Sequence, residues 1–260
     1  MGDGRLMSTT HTASILDQST RQAIPFSTAA SIKDEIAVNL LVEASGAGPA
    51  DTVLDVACGG GIVVCGFARV VKHATGIDLT PAMLDGARRL QAEKGLTNVT
   101  WKLGDVLPLP FPDASFSIVT SRFAFHHFLD PFAVLGEMKR VCTPGGKVIV
   151  ADSAPPPEKA DAFNAMERLR DPSHARALPL VELKNLFTRH GLSEPRHTPY
   201  RLESDLESLL ARSFPNPGDD DKIRALFRRS AEDDSLGIDA RHEGNLIVYG
   251  YPVAILVADR

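Results

Sequence analysis

Between Asp51 and Asp152 the chain alternates short apolar runs, rich in β-branched residues, with helix-period segments, and no other feature constrains the fold as much. The runs are TVLDVA, ATGIDL, NVTWKL, SFSIVTS and KVIVAD. Near-continuous apolar runs suit parallel strands buried on both faces, with helical crossovers between them. Helices are expected over Ile62–Lys72, Ala82–Lys94 and Phe132–Val141. The second has Thr80 as N-cap, Pro81 at its first position and Gly95 as its stop. The third repeats the device with Asp130 and Pro131, and precedes the turn Thr143-Pro144-Gly145-Gly146. The expected architecture is α/β: a Rossmann-like, doubly wound, mostly parallel sheet.

Outside this block the pattern loosens. Residues 11–44 have the spacing of one or two amphipathic helices, and Ala154-Pro155-Pro156-Pro157 is a hard break. Helical segments follow to Arg189, interrupted at Asp171-Pro172 and Leu178-Pro179. A strand is expected at Arg196–Leu202, with helices at Leu206–Ser213 and Asp221–Asp233. A hairpin turning at Glu243-Gly244-Asn245 then leads into an antiparallel C-terminal strand through YPVAILVA. We divide a single domain, 1–260, into an N-terminal helical lid (1–45), a cofactor-binding core (46–153), a helical cap insertion (154–195) and C-terminal strands and helices (196–260).

Composition narrows the classes. A net charge of −5 argues against a dedicated nucleic-acid binder. The three cysteines, Cys58, Cys65 and Cys142, are odd in number and lack metal-type spacing, so neither a disulfide framework nor a metal site is expected and a reducing, cytoplasmic setting is. No leader is visible, and no apolar run approaches the roughly 20 residues of a membrane span.

The first strand ends in a carboxylate, Asp55, followed by Ala57-Cys58-Gly59-Gly60-Gly61. A buried carboxylate needs compensation, and glycines between a strand and a helix mark a ligand lying against backbone at the carboxyl edge of a sheet. No Gly-Lys-Ser/Thr ending follows, so the phosphate cradle fails; Gly59 and Gly61 match a dinucleotide loop in part, but Val64 stands where a third small residue belongs. Asp78 ends the second run, 19 residues after Gly59, and Asp105 ends the third. Singly, each serves equally well as a strand-end turn residue. Jointly, three carboxylates from successive strands converge on one crevice, which repels a pyrophosphate and suits a ligand carrying positive charge and hydroxyl or amino donors.

The ordered series DVACGGG, GIDLT, GDVLPLPFPDASFSIVTS, FHHFLDP and VCTPGGKVIVAD, spanning roughly residues 50–152, resembles the motifs of class I S-adenosylmethionine-dependent methyltransferases of the UbiE type. That resemblance implies S-adenosylmethionine as cofactor and S-adenosylhomocysteine as product. It implies that Asp55 and the Ala57–Gly61 loop, with Cys58 as a small filler, hold the methionine end. Asp78, with Leu79 and Met83 beside it, would take the ribose; Gly104, Asp105 and Val106 the adenine; and Ser121 would border the cofactor. Ala57 departs from the family's first loop glycine.

Methyl transfer from a sulfonium needs a base only if the acceptor must lose a proton. The candidates lie beyond the fourth and fifth strands: Arg122, His126, His127 and Asp152. Either histidine would serve as the base, or merely cap or pack against the next helix; Arg122 would meet an anionic substrate group or, as we favour, pair with a carboxylate. His11 approaches the site if the N-terminal helix is a lid. The remaining histidines, 73, 174, 190, 197 and 242, show no clustering in sequence. Phe123, Phe125 and Phe128 are pocket candidates, and Phe26, Phe163 and Phe214 lid candidates, around an enclosed, largely apolar cavity for a small-molecule acceptor. O-, N- and C-methylation are not separable. Two rival readings stand: a nicotinamide-dependent oxidoreductase, and a methyltransferase fold binding its cofactor without methylating. No nucleic-acid partner is expected, and oligomerisation is left open.

Overall fold

A computed structural model describes residues 3–28 and 35–260, and the side chains of 10–23 and 35–260. In chain order the elements are α1 (Asp3–Thr28), α2 (Glu35–Ser45), β1 (Thr52–Val56), α3 (Ile62–Phe67), β2 (His73–Asp78), α4 (Pro81–Glu93), β3 (Val99–Leu103) and β4 (Phe116–Arg122). A 3-10 turn at Phe125–His127 follows, then α5 (Pro131–Val141), β5 (Cys142–Ser153), α6 (Ala160–Arg170) and α7 (Leu180–Arg189). The chain closes with β6 (Arg196–Asp205), α8 (Leu206–Ala211), α9 (Asp219–Asp233), β7 (Arg241–Glu243) and β8 (Leu246–Asp259).

All eight strands form one sheet, in the order β3-β2-β1-β4-β5-β8-β6, with β7 on β8. β1 to β5 pair in parallel, and β8 runs antiparallel to both β5 and β6. The chain order reverses between β1 and β4, and a doubly wound sheet opens its ligand crevice at that switch point.

The two faces follow from period-2 alternation in the strands. Leu54, Val56, Val119 and Val150 bury against α5 and α7. Val53, Ile118, Ile149 and Ala151 bury on the opposite face with Val63, Val64 and Phe67 of α3. A third cluster, around Phe163, Ile223, Phe227 and Tyr249, joins α6 and α9 to the C-terminal strands.

Local corrections have local causes. α3 stops at Phe67 instead of Lys72, because the Asn98 amide takes the carbonyls of Ala68 and Val71 and turns the chain into β2. Thr80 caps α4 by position only; its side chain makes no cap bond, and the Asp78 carboxylate accepts from its N–H at 2.8 Å instead. Asp130 does cap α5, accepting from Ala133 N. Asp105 lies two residues past the end of β3. Among the described residues, no helix is long and apolar enough to cross a membrane.

Candidate active site

At the switch point the carboxyl ends of β1, β2 and β4 surround a cavity of about 700 Å³, covered by α1. Of the residues expected to bind a cofactor, Asp55, Ala57, Cys58, Gly59, Asp78, Leu79, Met83, Asp105 and Val106 line it. So do Arg122 at the end of β4, Phe123, His127 and Phe128 from the segment that follows, and His11, Ile15, Gln22 and Ala23 from α1.

Five expected site residues, Ser121, Gly104, Gly61, His126 and Asp152, do not line the cavity, each for a packing reason. Ser121 is fully buried and donates its hydroxyl to Val56 O at 2.8 Å. Gly104 N donates to Asp78 O, extending the strand pairing beneath the crevice. Gly61 begins α3 with φ 77, and a Cβ there would stand 2.4 Å from the Trp101 ring, so its glycine lets the helix start close against the sheet. His126 turns away from the cavity and places Nδ1 2.6 Å from Asp152 Oδ1.

The carboxylates differ in their surroundings. Asp55 is 2% exposed, and its Oδ1 has no hydrogen-bond partner. Burial drives its carboxyl well above the usual range, with Arg122 opposing and Asp78 adding to the rise. Burial also raises Asp78, although its Oδ2 accepts from Gly59 N and its Oδ1 from Thr80 N, both at 2.8 Å. Asp78 therefore shapes the glycine loop and caps α4, while each carboxylate oxygen keeps a further lone pair for a ligand hydroxyl. Asp105 Oδ1 accepts from Val106 N and Leu107 N, a local turn that holds its side chain at the rim.

A cationic nucleoside ligand fits this set. Two buried carboxyls that resist ionisation gain a counter-charge when a cation enters, and an unpartnered oxygen gains a donor. Ala57, at φ 57, holds the left-handed conformation that the family's glycine would adopt freely, so the departure in sequence leaves the loop's path intact.

His127 and His126 have opposite environments. His127 Nδ1 donates to Ser173 O at 3.0 Å, which fixes the proton on Nδ1 and leaves the Nε2 lone pair as the basic one. Burial, and the neighbouring His126 charge, lower its pKa to about 4. Burial would lower His126 too, but the Asp152 carboxylate outweighs it and raises the imidazole. Behind both lies His174, its ring stacked on His126 at 5.3 Å and its Nε2 2.7 Å from Asn164 Oδ1, so this histidine does cluster with the site pair. Among the described residues no group of His, Cys, Asp or Glu has the arrangement of a metal site.

The lid is α1. His11 Nε2 donates to His127 O at 2.7 Å, Gln18 to Phe214 O, and Gln22 to Asp171 Oδ2 at 3.0 Å. Asp171 Oδ1 in turn accepts from Ser173 N and Oγ, so the lid and the His127 imidazole share one hydrogen-bonded chain. Sequence reasoning missed Gln22, Asp171 and Ser173; the Asp171-Pro172-Ser173-His174 stretch showed only as a helix break. Residues 154–195 support the site from behind, and none of them lines the cavity. Phe125 and Phe163 are core residues, Phe214 meets the lid at Arg21, and the Phe26 side chain lies outside the described residues.

A doubly wound sheet with an acid-lined glycine loop at its switch point is the architecture of class I methyltransferases, and comparison with known proteins agrees. The family model described as "Methyltransferase domain" matches residues 54–150. An uncharacterized methyltransferase of Bacillus subtilis, YcgJ, is 34% identical over 185 residues, covering 70% of this chain and 73% of its own. A demethylmenaquinone methyltransferase of Thermus thermophilus is 40% identical over 210 residues, covering 80% of this chain and 82% of its own. The crystal structure of B. subtilis YcgJ superposes with a TM-score of 0.79 at 26% identity, covering 86% of this chain and 98% of that one. The chain belongs to the S-adenosylmethionine-dependent methyltransferases, and UbiE-like enzymes are among its relatives. The oxidoreductase reading is thereby set aside.

Proposed function

We propose that the protein transfers a methyl group from S-adenosylmethionine to a small aromatic or amphipathic acceptor held beneath α1. One observation carries this reading: Asp55, Asp78 and Asp105 meet at one cavity, whose lining under the lid includes Ile15, Ala23, Phe123 and Phe128. The name of the Thermus thermophilus relative supports a quinone-like acceptor, and that of a Shewanella halifaxensis relative, a ubiquinone/menaquinone biosynthesis C-methyltransferase, supports methylation at carbon.

When bound, the cofactor supplies a methyl carbon already activated by its sulfonium. Asp55 and the Ala57–Gly59 backbone hold the amino-acid end, Asp78 accepts from the ribose hydroxyls, and Asp105 with Val106 borders the adenine. α1 excludes water and holds the acceptor in line; orienting the reactants in this way supplies much of the rate enhancement that such a displacement needs. His127 accepts the acceptor's proton at Nε2, its neutral tautomer held by Ser173 O. His126, tied to Asp152, positions this turn and does not reach the acceptor.

The test is calorimetric titration of the purified protein with S-adenosylhomocysteine, followed by transfer of labelled methyl to phenols and quinols. Saturable binding and a methylated product are expected. Absence of S-adenosylhomocysteine binding, or a dinucleotide carried through purification, overturns the reading.

A further inference from the structure

Arg122 presents a buried guanidinium that no carboxylate of the protein meets by a hydrogen bond, Asp55 acting on it only through space. The residue is 8% exposed, lines the cavity, and leaves Nε and Nη2 without a hydrogen-bond partner. Its sole close aromatic neighbour among the described residues is the Phe123 ring, 4.4 Å from the guanidinium carbon. The pairing with a carboxylate favoured from sequence is not made through these atoms, and the Asp55 Oδ1 beside them is equally unpartnered. A buried cation without an anion is costly, and a cation–π contact offsets only part of that cost.

The strand register places Arg122 beside the other unmet group. Asp55 on β1 is level with Thr120 on β4, and Arg122 follows Thr120 by two residues, on the same face. Thr120 Oγ1 also has no partner. One edge of the cavity thus offers, side by side, an unpartnered carboxylate oxygen and a guanidinium fork, while Thr120, level with Asp55, is fully buried and off the lining. A phosphate would suit the fork but not its neighbours, since Asp55, Asp78 and Asp105 surround the same space. A zwitterion, with an ammonium and a carboxylate on one carbon, satisfies both ends at once. The planar fork matches a carboxylate in bidentate fashion, which a lysine cannot do.

We propose that Arg122 is the carboxylate-binding residue of the cavity, receiving the α-carboxylate of the methyl donor's amino-acid end while Asp55 receives its ammonium. This rests on the methyl-transfer reading and adds the residue that separates an intact donor from a donor lacking its amino-acid end. It also accounts for a buried arginine at the end of β4, where an apolar residue would pack without cost.

The experiment compares S-adenosylhomocysteine with 5′-methylthioadenosine, which keeps the nucleoside and loses the amino-acid end, on the parent protein, Arg122→Met and Arg122→Lys. Arg122→Met is expected to weaken S-adenosylhomocysteine about 10- to 100-fold, the loss of a charged hydrogen-bond pair. Arg122→Lys should recover part of that loss, and methylthioadenosine should bind all three proteins within about twofold. The melting temperature without ligand should change little in Arg122→Met, because no hydrogen bond to Nε or Nη2 is lost and Asp55 loses only a through-space attraction. Equal S-adenosylhomocysteine affinity in parent and Met variant overturns the proposal, as does an equal loss for methylthioadenosine. So does a defect confined to the KM of a carboxylate-bearing acceptor. A parent protein that binds no S-adenosylhomocysteine instead removes the methyl-transfer reading beneath it.

Discussion

His127 and His126 are adjacent in sequence and opposite in chemistry, because one meets a carbonyl and the other a carboxylate. A histidine held near a pKa of about 4 is neutral through the physiological range and is protonated only as the pH falls below that value. If His127 accepts the proton, kcat should show no histidine limb at pH 6.5, and should fall only as the pH drops through about 4. His127→Ala should lower kcat about 100-fold while leaving S-adenosylhomocysteine affinity unchanged. A pH–rate profile with calorimetry checks both; a parent-like kcat in the variant reduces His127 to a packing residue. Asp78 carries a second duty of the same kind, since its oxygens hold Gly59 and Thr80 as well as facing the cavity. Its loss would release Gly59 and Thr80 and, on the proposed reading, remove the ribose partner as well.

At the scale of elements, α1 supplies one wall of the cavity. The helix brings Ile15 and Ala23 to the lining and secures itself by polar contacts, of which Gln22 to Asp171 is the buried one. Gln22→Leu keeps the bulk and removes the donor, leaving an Asp171 oxygen short of a partner at a cost of about 1–3 kcal/mol. We expect faster amide exchange over residues 10–23 and a several-fold loss of turnover, with the Asp55–Gly61 segment unchanged. Exchange that matches the parent would mean that apolar contact alone seats the helix. The same chain continues through Ser173 to His127, so seating the lid and orienting the imidazole are parts of one arrangement.

At the scale of the molecule, the C-terminal strands are joined to α6, behind the site, where the Tyr251 hydroxyl meets an ion pair buried within that helix. Arg170 donates to Glu167 from Nε at 3.0 Å and from Nη2 at 2.6 Å, and the Tyr251 hydroxyl of β8 donates to the same carboxylate at 2.6 Å. Burial alone would raise Glu167, but Arg170 outweighs it and lowers the group to about 2. Glu167→Gln leaves the Arg170 charge poorly matched and should cost about 3–5 kcal/mol, a fall of roughly 10 °C in Tm. Because the folded pKa lies below the ordinary carboxylate value, the deficit should be complete above about pH 4.5 and shrink as the pH falls toward 2. Thermal unfolding of both proteins from pH 3 to 8 checks it; a deficit that does not vary with pH would trace the loss to packing instead.

What the sequence determined was whatever is encoded locally. Alternating apolar runs and capped helices dictated the parallel sheet, and the position of Asp55, Asp78 and Asp105 at or just beyond strand ends brought them to one edge. Strand parity even contained the correction to Ser121, since it neighbours Arg122 and must face the opposite side of the sheet. Only the tertiary structure decided which histidine faces the cavity, and that Gln22 meets Asp171 across 149 residues of chain. It also left the Arg122 guanidinium buried with Nε and Nη2 unbonded. Those outcomes depend on which side chains from distant segments arrive at the same few ångströms, and no periodicity along the chain carries that information.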